Sequence, residues 1–182
     1  MAIRKVMRLG HPVLRERARE LSDAEIESEA LVRLVDDMVD TLHEYGGIGL
    51  AAPQIAEPLR LAVIELPGGP SRYGDIESVP LTVYVNPVIE VIDPAVAGYW
   101  EGCLSVPGFR GFVERPQHIR VSYTTMTGEH EAMELRGFPA TVFQHEFDHL
   151  DGKLYVDRLK DSTLLMFEEE FMRYHADEPV LD

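Results

Sequence analysis

Apolar residues recur along the chain at two spacings, and the switches between them predict its elements. From about Asp23 to Tyr45 the period is helical, with Ile26, Leu34, Met38 and Leu42 joined by Val35 and Val39. Ser22 and Glu25 form a capping box at the start, Asp23 adds a favourable first-turn charge, and Gly46-Gly47 stops the helix. Upstream, Gly10-His11-Pro12 marks a turn and Val13–Arg19 a short helical turn. The runs Arg60–Leu66, Leu81–Val85 and Val88–Ile92 are β-rich, with Asn86-Pro87 read as a turn between the last two. Pro67–Pro80, rich in Gly, Pro and Ser, predicts a surface loop, and Ala95–Trp100 continues extended. His118–Thr124 and Glu131–Arg136 alternate around a turn at Thr127-Gly128 and predict a hairpin. The segment Pro139–Leu150 predicts a helix, with Pro in its first turn and Asp151-Gly152 at its end. A last helix is predicted over Asp161–His175, followed by a polar, frayed tail from 176 to 182.

Strands fill the middle of the chain, while helices occupy both ends and one late segment. This order predicts an α+β fold, with antiparallel β-sheets packed around a central helix at 139–150 and helices at the two termini. No internal repeat or interdomain linker is visible, and 182 residues are enough for one domain, 1–182, to bury a core without disulfides.

Composition narrows the function. A net charge of −15 argues against direct nucleic-acid binding, which needs clustered cations, and against docking on an anionic membrane. Neither a signal peptide nor an apolar run of membrane-spanning length is read. The single cysteine, Cys103, can form no intrachain disulfide, which fits a reducing compartment, and the expected location is the cytoplasm.

The candidate chemistry lies in Gln144-His145-Glu146-Phe147-Asp148-His149. On a helix, residues four apart share a face, so His145 and His149 can offer two imidazoles to one metal ion, with Glu146 beside a water on that metal. Three protein ligands and one open position make a catalytic site of this kind. Two residues compete for third ligand. Cys103, following Gly102 on a loop or strand end, would bind as thiolate; Glu169, on the predicted last helix, has roughly the spacing of thermolysin-like zinc endopeptidases. The stretch Gly47-Ile48-Gly49-Leu50-Ala51-Ala52-Pro53-Gln54 holds small or apolar residues up to one polar side chain, Gln54. It lacks the Lys and Ser/Thr of a phosphate loop and follows a helix, so close backbone approach is its expected use.

Taken together, Gly47–Gln54, Glu101–Ser105 and Gln144–His149 resemble the three signature motifs of the peptide deformylases, in that family's order. The resemblance extends over nearly the whole chain. It implies a hydrolase that removes formyl from the N-terminal formyl-methionine of newly made polypeptides and releases formate. It implies Cys103, rather than Glu169, as the third ligand with His145 and His149. The metal would be one divalent ion, typically Fe2+, with Zn2+ or Ni2+ tolerated. Glu146 would act as general base and then acid, Gln54 and the Leu104 backbone N–H would stabilise the oxyanion, and backbone groups around Gly49 would align the peptide as an added strand. Phe138, Thr141 and Val142, with Ile48, are placed to line an apolar slot for methionine, and Arg110 either touches the substrate backbone or forms a surface ion pair. The acidic C-terminal sequence FEEEFMRYHADEPVLD is a poor match for a basic helix that docks on ribosomal RNA.

Overall fold

In the computed structural model, residues 2–71 and 74–176 are described. The chain forms α1 (Asp23–Ile26), α2 (Glu29–Tyr45), β1 (Gly49–Ala51), β2 (Leu61–Leu66), β3 (Gly69–Ser71), β4 (Gly74–Ile76), β5 (Val79–Cys103), β6 (Val106–Thr124), β7 (His130–Arg136), α3 (Phe138–Leu150), β8 (Leu165–Phe167) and α4 (Glu168–Tyr174). The main sheet runs β1-β2-β5-β6-β7, every pair antiparallel, and β8 joins β6 off this path. The architecture is therefore mixed, dominated by an antiparallel sheet with few helices.

Strand β2 explains how helices cover both faces of the sheet. Its side chains alternate. Leu61 and Val63 join Leu31, Met38 and Leu42 of α2, while Ala62 and Ile64 join Ala140, Phe143, Phe147 and Leu150 of α3. A strand buried on both sides reads as an unbroken apolar run, as LAVI does here. Helix α3 is buried at eleven of its thirteen positions, from Pro139 to Leu150. It starts at Gly137, whose φ of 62° suits glycine. Arg60 donates to the Leu150 carbonyl (3.3 Å) and to Asp151 (2.7 Å), placing a cation at the helix C-terminus.

Several sequence expectations change. The helix expected over 23–45 is two helices, because Ser28 caps a new start: its Oγ accepts from Leu31 N–H (3.2 Å) and donates to Glu25 O (2.6 Å). Asn86-Pro87 does not turn the chain. The Asn86 carboxamide accepts from Leu21 N–H (2.9 Å) and donates to Leu21 O (2.8 Å), so the segment is held as a bulge and β5 runs on for 25 residues. The last helix is shorter than expected. Ser162–Leu164 makes one 3-10 turn, Leu165–Phe167 pair with Phe109–Gly111 instead, with the Phe109 and Phe167 rings 4.6 Å apart, and only Glu168–Tyr174 is α-helical. The loop at 67–80 contains the small β3-β4 ribbon. Apart from Ala176, the tail expected to fray lies outside the described residues. No described helix is long and apolar enough to cross a membrane.

Phe143 is fully buried, edge-on to Tyr84 at 5.0 Å, and anchors α3 to the sheet. Phe143→Ala is expected to cost about 3–5 kcal/mol of stability, read from urea unfolding. A loss below about 1 kcal/mol would show that α3 is held by other contacts.

Candidate metal centre

Cys103 ends β5 at a tight connection to β6, where Cys103 pairs with Val106. Residues 145 and 149 of α3 present their imidazoles to the same point, with ring centroids 5.2 Å apart. The ligand atoms of Cys103, His145 and His149 lie within 4.8 Å of one another, and Cys103 Sγ is 3.4 Å from His149 Nε2. Thiolate and imidazole ligands of one tetrahedral ion sit about 3.5 Å apart, so the spacing fits a divalent metal. The electrostatics fit as well. Burial alone would raise the Cys103 thiol, but His149 and His145 outweigh it and hold the group well below its ordinary value. Burial would lower His145, yet Cys103 and Glu101 hold it well above. Negative charge that retains a proton on an imidazole also attracts a dication, whose binding releases that proton. Glu169 is exposed on α4 and is not in the cluster.

A chain of buried charges stands behind His145. Glu101 Oε2 lies 2.7 Å from His145 Nδ1, which turns Nε2 toward the cluster. Arg115 donates to both Glu101 oxygens (2.6 and 3.1 Å) and to Asp148 Oδ2 (2.7 Å). Arg158 closes the chain on Asp148 from the surface, at 2.5 and 3.1 Å. Burial would raise the carboxyls of Glu101 and Asp148, but these partners outweigh it and hold both below their ordinary values.

Glu146 faces the same cleft, and its Oε2 has no hydrogen-bond partner among the described residues. Burial pushes its carboxyl up from the ordinary value. Gly49 makes room for it: a Cβ there would come within 2.5 Å of the Glu146 carboxyl. Gln54 is buried and fixed at both ends. Its Oε1 accepts from Ala51 N–H (2.8 Å), while Nε2 donates to Ser105 Oγ (3.2 Å) and approaches Cys103 Sγ (3.6 Å).

A cleft of about 930 Å³ brings together Cys103, Leu104, His145, Glu146, Gln54, Gly49 and Arg110, together with Ile48, Phe138, Thr141 and Val142. The residues named from the sequence therefore reach this cleft except His149, which is buried behind it as part of the cluster, and Glu169, which lies outside both. Arg110 pairs with Glu168 (2.9 and 2.5 Å). Its guanidinium lies over Gly102, where a Cβ would meet it at 2.7 Å. A β6 bulge allows this, since the register shifts between Glu101↔Gly111 and Cys103↔Val106 and leaves residues 107–110 unpaired with β5, Phe109 and Arg110 pairing with β8 instead.

Sequence reading missed Glu101, Arg115, Asp148 and Ser105 as parts of the site. Glu101 and Asp148 lay inside the quoted motifs, and a carboxylate within two residues of a candidate ligand was the available signal. Arg115 carried none, because it is brought in by β6 pairing.

The model of the family described as "Polypeptide deformylase" matches residues 3–164. A peptide deformylase of Leptospira biflexa is 42% identical over 171 residues, covering 93% of this chain and 95% of that protein. Peptide deformylase 1 of Bordetella pertussis is 41% identical, covering 92% and 93%. Among solved structures, a Met-Ala-Ser-bound class I type b peptide deformylase from Acinetobacter baumannii superposes with a TM-score of 0.81 at 38% identity, covering 87% of this chain and 99% of that one. The peptide deformylase of Thermotoga maritima gives 0.78 at 36% identity, covering 88% and 100%.

Glu101→Gln removes the charge behind His145 Nδ1. It is expected to weaken metal binding about 10–100-fold, read by competition with a chelator. Unchanged affinity would mean that Glu101 serves packing alone.

Proposed function

The chain belongs to the polypeptide deformylase family, and we propose how its own residues perform that family's reaction, removal of the formyl group from N-terminal formyl-methionine. The carrying observation is one cleft in which a thiol and two imidazoles converge beside a buried carboxyl whose Oε2 has no partner.

Cys103, His145 and His149 would hold one divalent ion, Fe2+ in this reading, with Zn2+ or Ni2+ also suited to a thiolate–imidazole set. Such an ion would lower the pKa of a bound water toward neutrality and polarise the formyl oxygen. Glu146 takes the proton of the attacking water and delivers it to the departing amine, which leaves poorly unless protonated. Burial raises its pKa, which makes it a better proton acceptor than an exposed carboxylate. Gln54 Nε2–H, next to Sγ, turns to the developing oxyanion, and the Leu104 N–H donates with it. Gln54 is already oriented by Ala51 and Ser105, so this donor needs little reorganisation.

The peptide lies along β1, an edge strand of the sheet, so the backbone around Gly49 can pair with it as an added strand. Ile48, Phe138, Thr141 and Val142 form the methionine slot, and Arg110, its charge already paired with Glu168, faces the peptide backbone from across the cleft with its remaining N–H donors. The tight Gly49–Glu146 contact leaves room for formyl and little for acetyl. Met-Ala-Ser in the Acinetobacter relative supports peptides, and hence nascent chains, as substrates. The three strands of β2, β5 and β6 link residues from both ends of the described fold, which supports one catalytic domain over 1–182. A single ligating thiol fits a cytoplasmic setting. An endopeptidase built on Glu169 lacks support, because that residue is exposed and outside the cluster.

Formate release from formyl-Met-Ala-Ser by Fe2+- or Ni2+-loaded protein tests the reading; no turnover, or equal turnover of acetyl-Met-Ala-Ser, contradicts it. Glu146→Ala is expected to keep its metal and lose about 10²–10⁴-fold in kcat. Cys103→Ala is expected to lose the metal, and Glu169→Ala to retain it.

A further inference from the structure

Among the described residues, two cations line the cleft without an ion-pair partner. Lys5 and Arg8 are exposed and belong to the same cleft as Cys103 and Glu146. Their segment is pinned beside the reacting centre: Met7 N–H donates to Gln54 O and Leu9 N–H to Ser105 O, both at 2.7 Å. The other charges of the cleft are engaged. Arg110 pairs with Glu168, and Glu101 with Arg115 and His145. Glu146 is buried at the centre. Arg4, adjacent in sequence, is held by Asp37 and Glu57. Among the described residues neither Lys5 nor Arg8 makes an ion pair.

A chain of net charge −15 thus keeps at its substrate cleft two positive charges that no described residue pairs with. The overall charge repels an acidic peptide at long range, but salt screens that repulsion beyond about 8 Å under physiological conditions. Contact with Lys5 and Arg8 acts inside that distance. The methionine wall is apolar, so the cations do not serve the methionine side chain.

We infer that Lys5 and Arg8 form a carboxylate-recognising subsite, which favours formyl-methionyl chains bearing an acidic residue one or two positions after the methionine. This rests on the deformylase reading and adds a substrate preference to it. Each contact is partly exposed, so the effect is moderate: two such pairs give roughly a three- to tenfold change in affinity at low salt.

The test compares C-terminally amidated formyl-Met-Ala-Glu and formyl-Met-Glu-Ser with their Lys counterparts, so that no terminal carboxylate contributes. The acidic peptides are expected to show a KM about three- to tenfold lower at 50 mM salt, with little difference in kcat, and the advantage should fade at 0.5 M. In the double variant Lys5→Glu/Arg8→Glu the order of KM values should reverse. Equal KM values in the unmodified enzyme, or an acidic preference that survives the charge reversal, would overturn the inference. Calorimetric binding of the amidated products Met-Ala-Glu and Met-Ala-Lys gives the same ratio without turnover. Absence of formate release would therefore count against the deformylase reading alone, while the binding ratio still decides this one.

Discussion

Alternation of buried charge, from His145 through Glu101, Arg115 and Asp148 to Arg158, is the constraint on which the site depends. A lone ion buried to this degree costs several kcal/mol, and removing one partner from a buried pair typically costs about 3–5 kcal/mol. Here each inner charge lies between two opposite ones. The chain also ties β5, β6 and α3 together, since Glu101, Arg115 and Asp148 come one from each. Slipping β6 against β5 by one residue would turn Arg115 to the other face and strand both carboxylates. Sheet register and imidazole orientation are therefore set by the same contacts.

The division of labour on the sheet follows. Strand β2 separates α2 from α3, so α2 packs on one face with Leu50, Ala52 and Leu104, bracing the Gly47–Gln54 stretch, while α3 bears both histidines on the opposite side. Because α3 is buried almost all round, its polar residues have no solvent to turn to, and most are answered by a partner; among the described residues only His149 Nδ1 and Glu146 Oε2 on this helix are buried without one. Of these two, Glu146 is the one that faces the cleft with an oxygen uncommitted.

Much of this could be read from the sequence where the signal was local. The spacing of His145 and His149, the small residues of Gly47–Gln54 and the cysteine after Gly102 pointed to the site, and periodicity found α3 and most strands. Readings failed where distant contacts decided the outcome. Asn86-Pro87 has turn chemistry, but two hydrogen bonds to Leu21 hold it in a strand. Leu165–Phe167 suits a helix, but an open edge of β6 takes it. Ser28 lay inside a helical period and still began a new helix. The role of Gly49 was visible only as a wish for closeness; that the close neighbour is the Glu146 carboxyl depends on how β1 meets α3.

The two-residue link between β5 and β6 has a consequence for how the site meets metal. Cys103 sits at the tip of this hairpin, and Leu104-Ser105 is nearly the shortest connection that two antiparallel strands allow. Its thiol is carried into place by the ladder behind it, and the two imidazoles arrive on one rigid helix. Little chain entropy remains to be lost when the three donors are gathered. Binding energy from an ion is then free to express itself as affinity rather than as folding, unlike in zinc fingers, whose chains are unstructured until loaded. Such a pocket can exchange one metal for another while its scaffold stands.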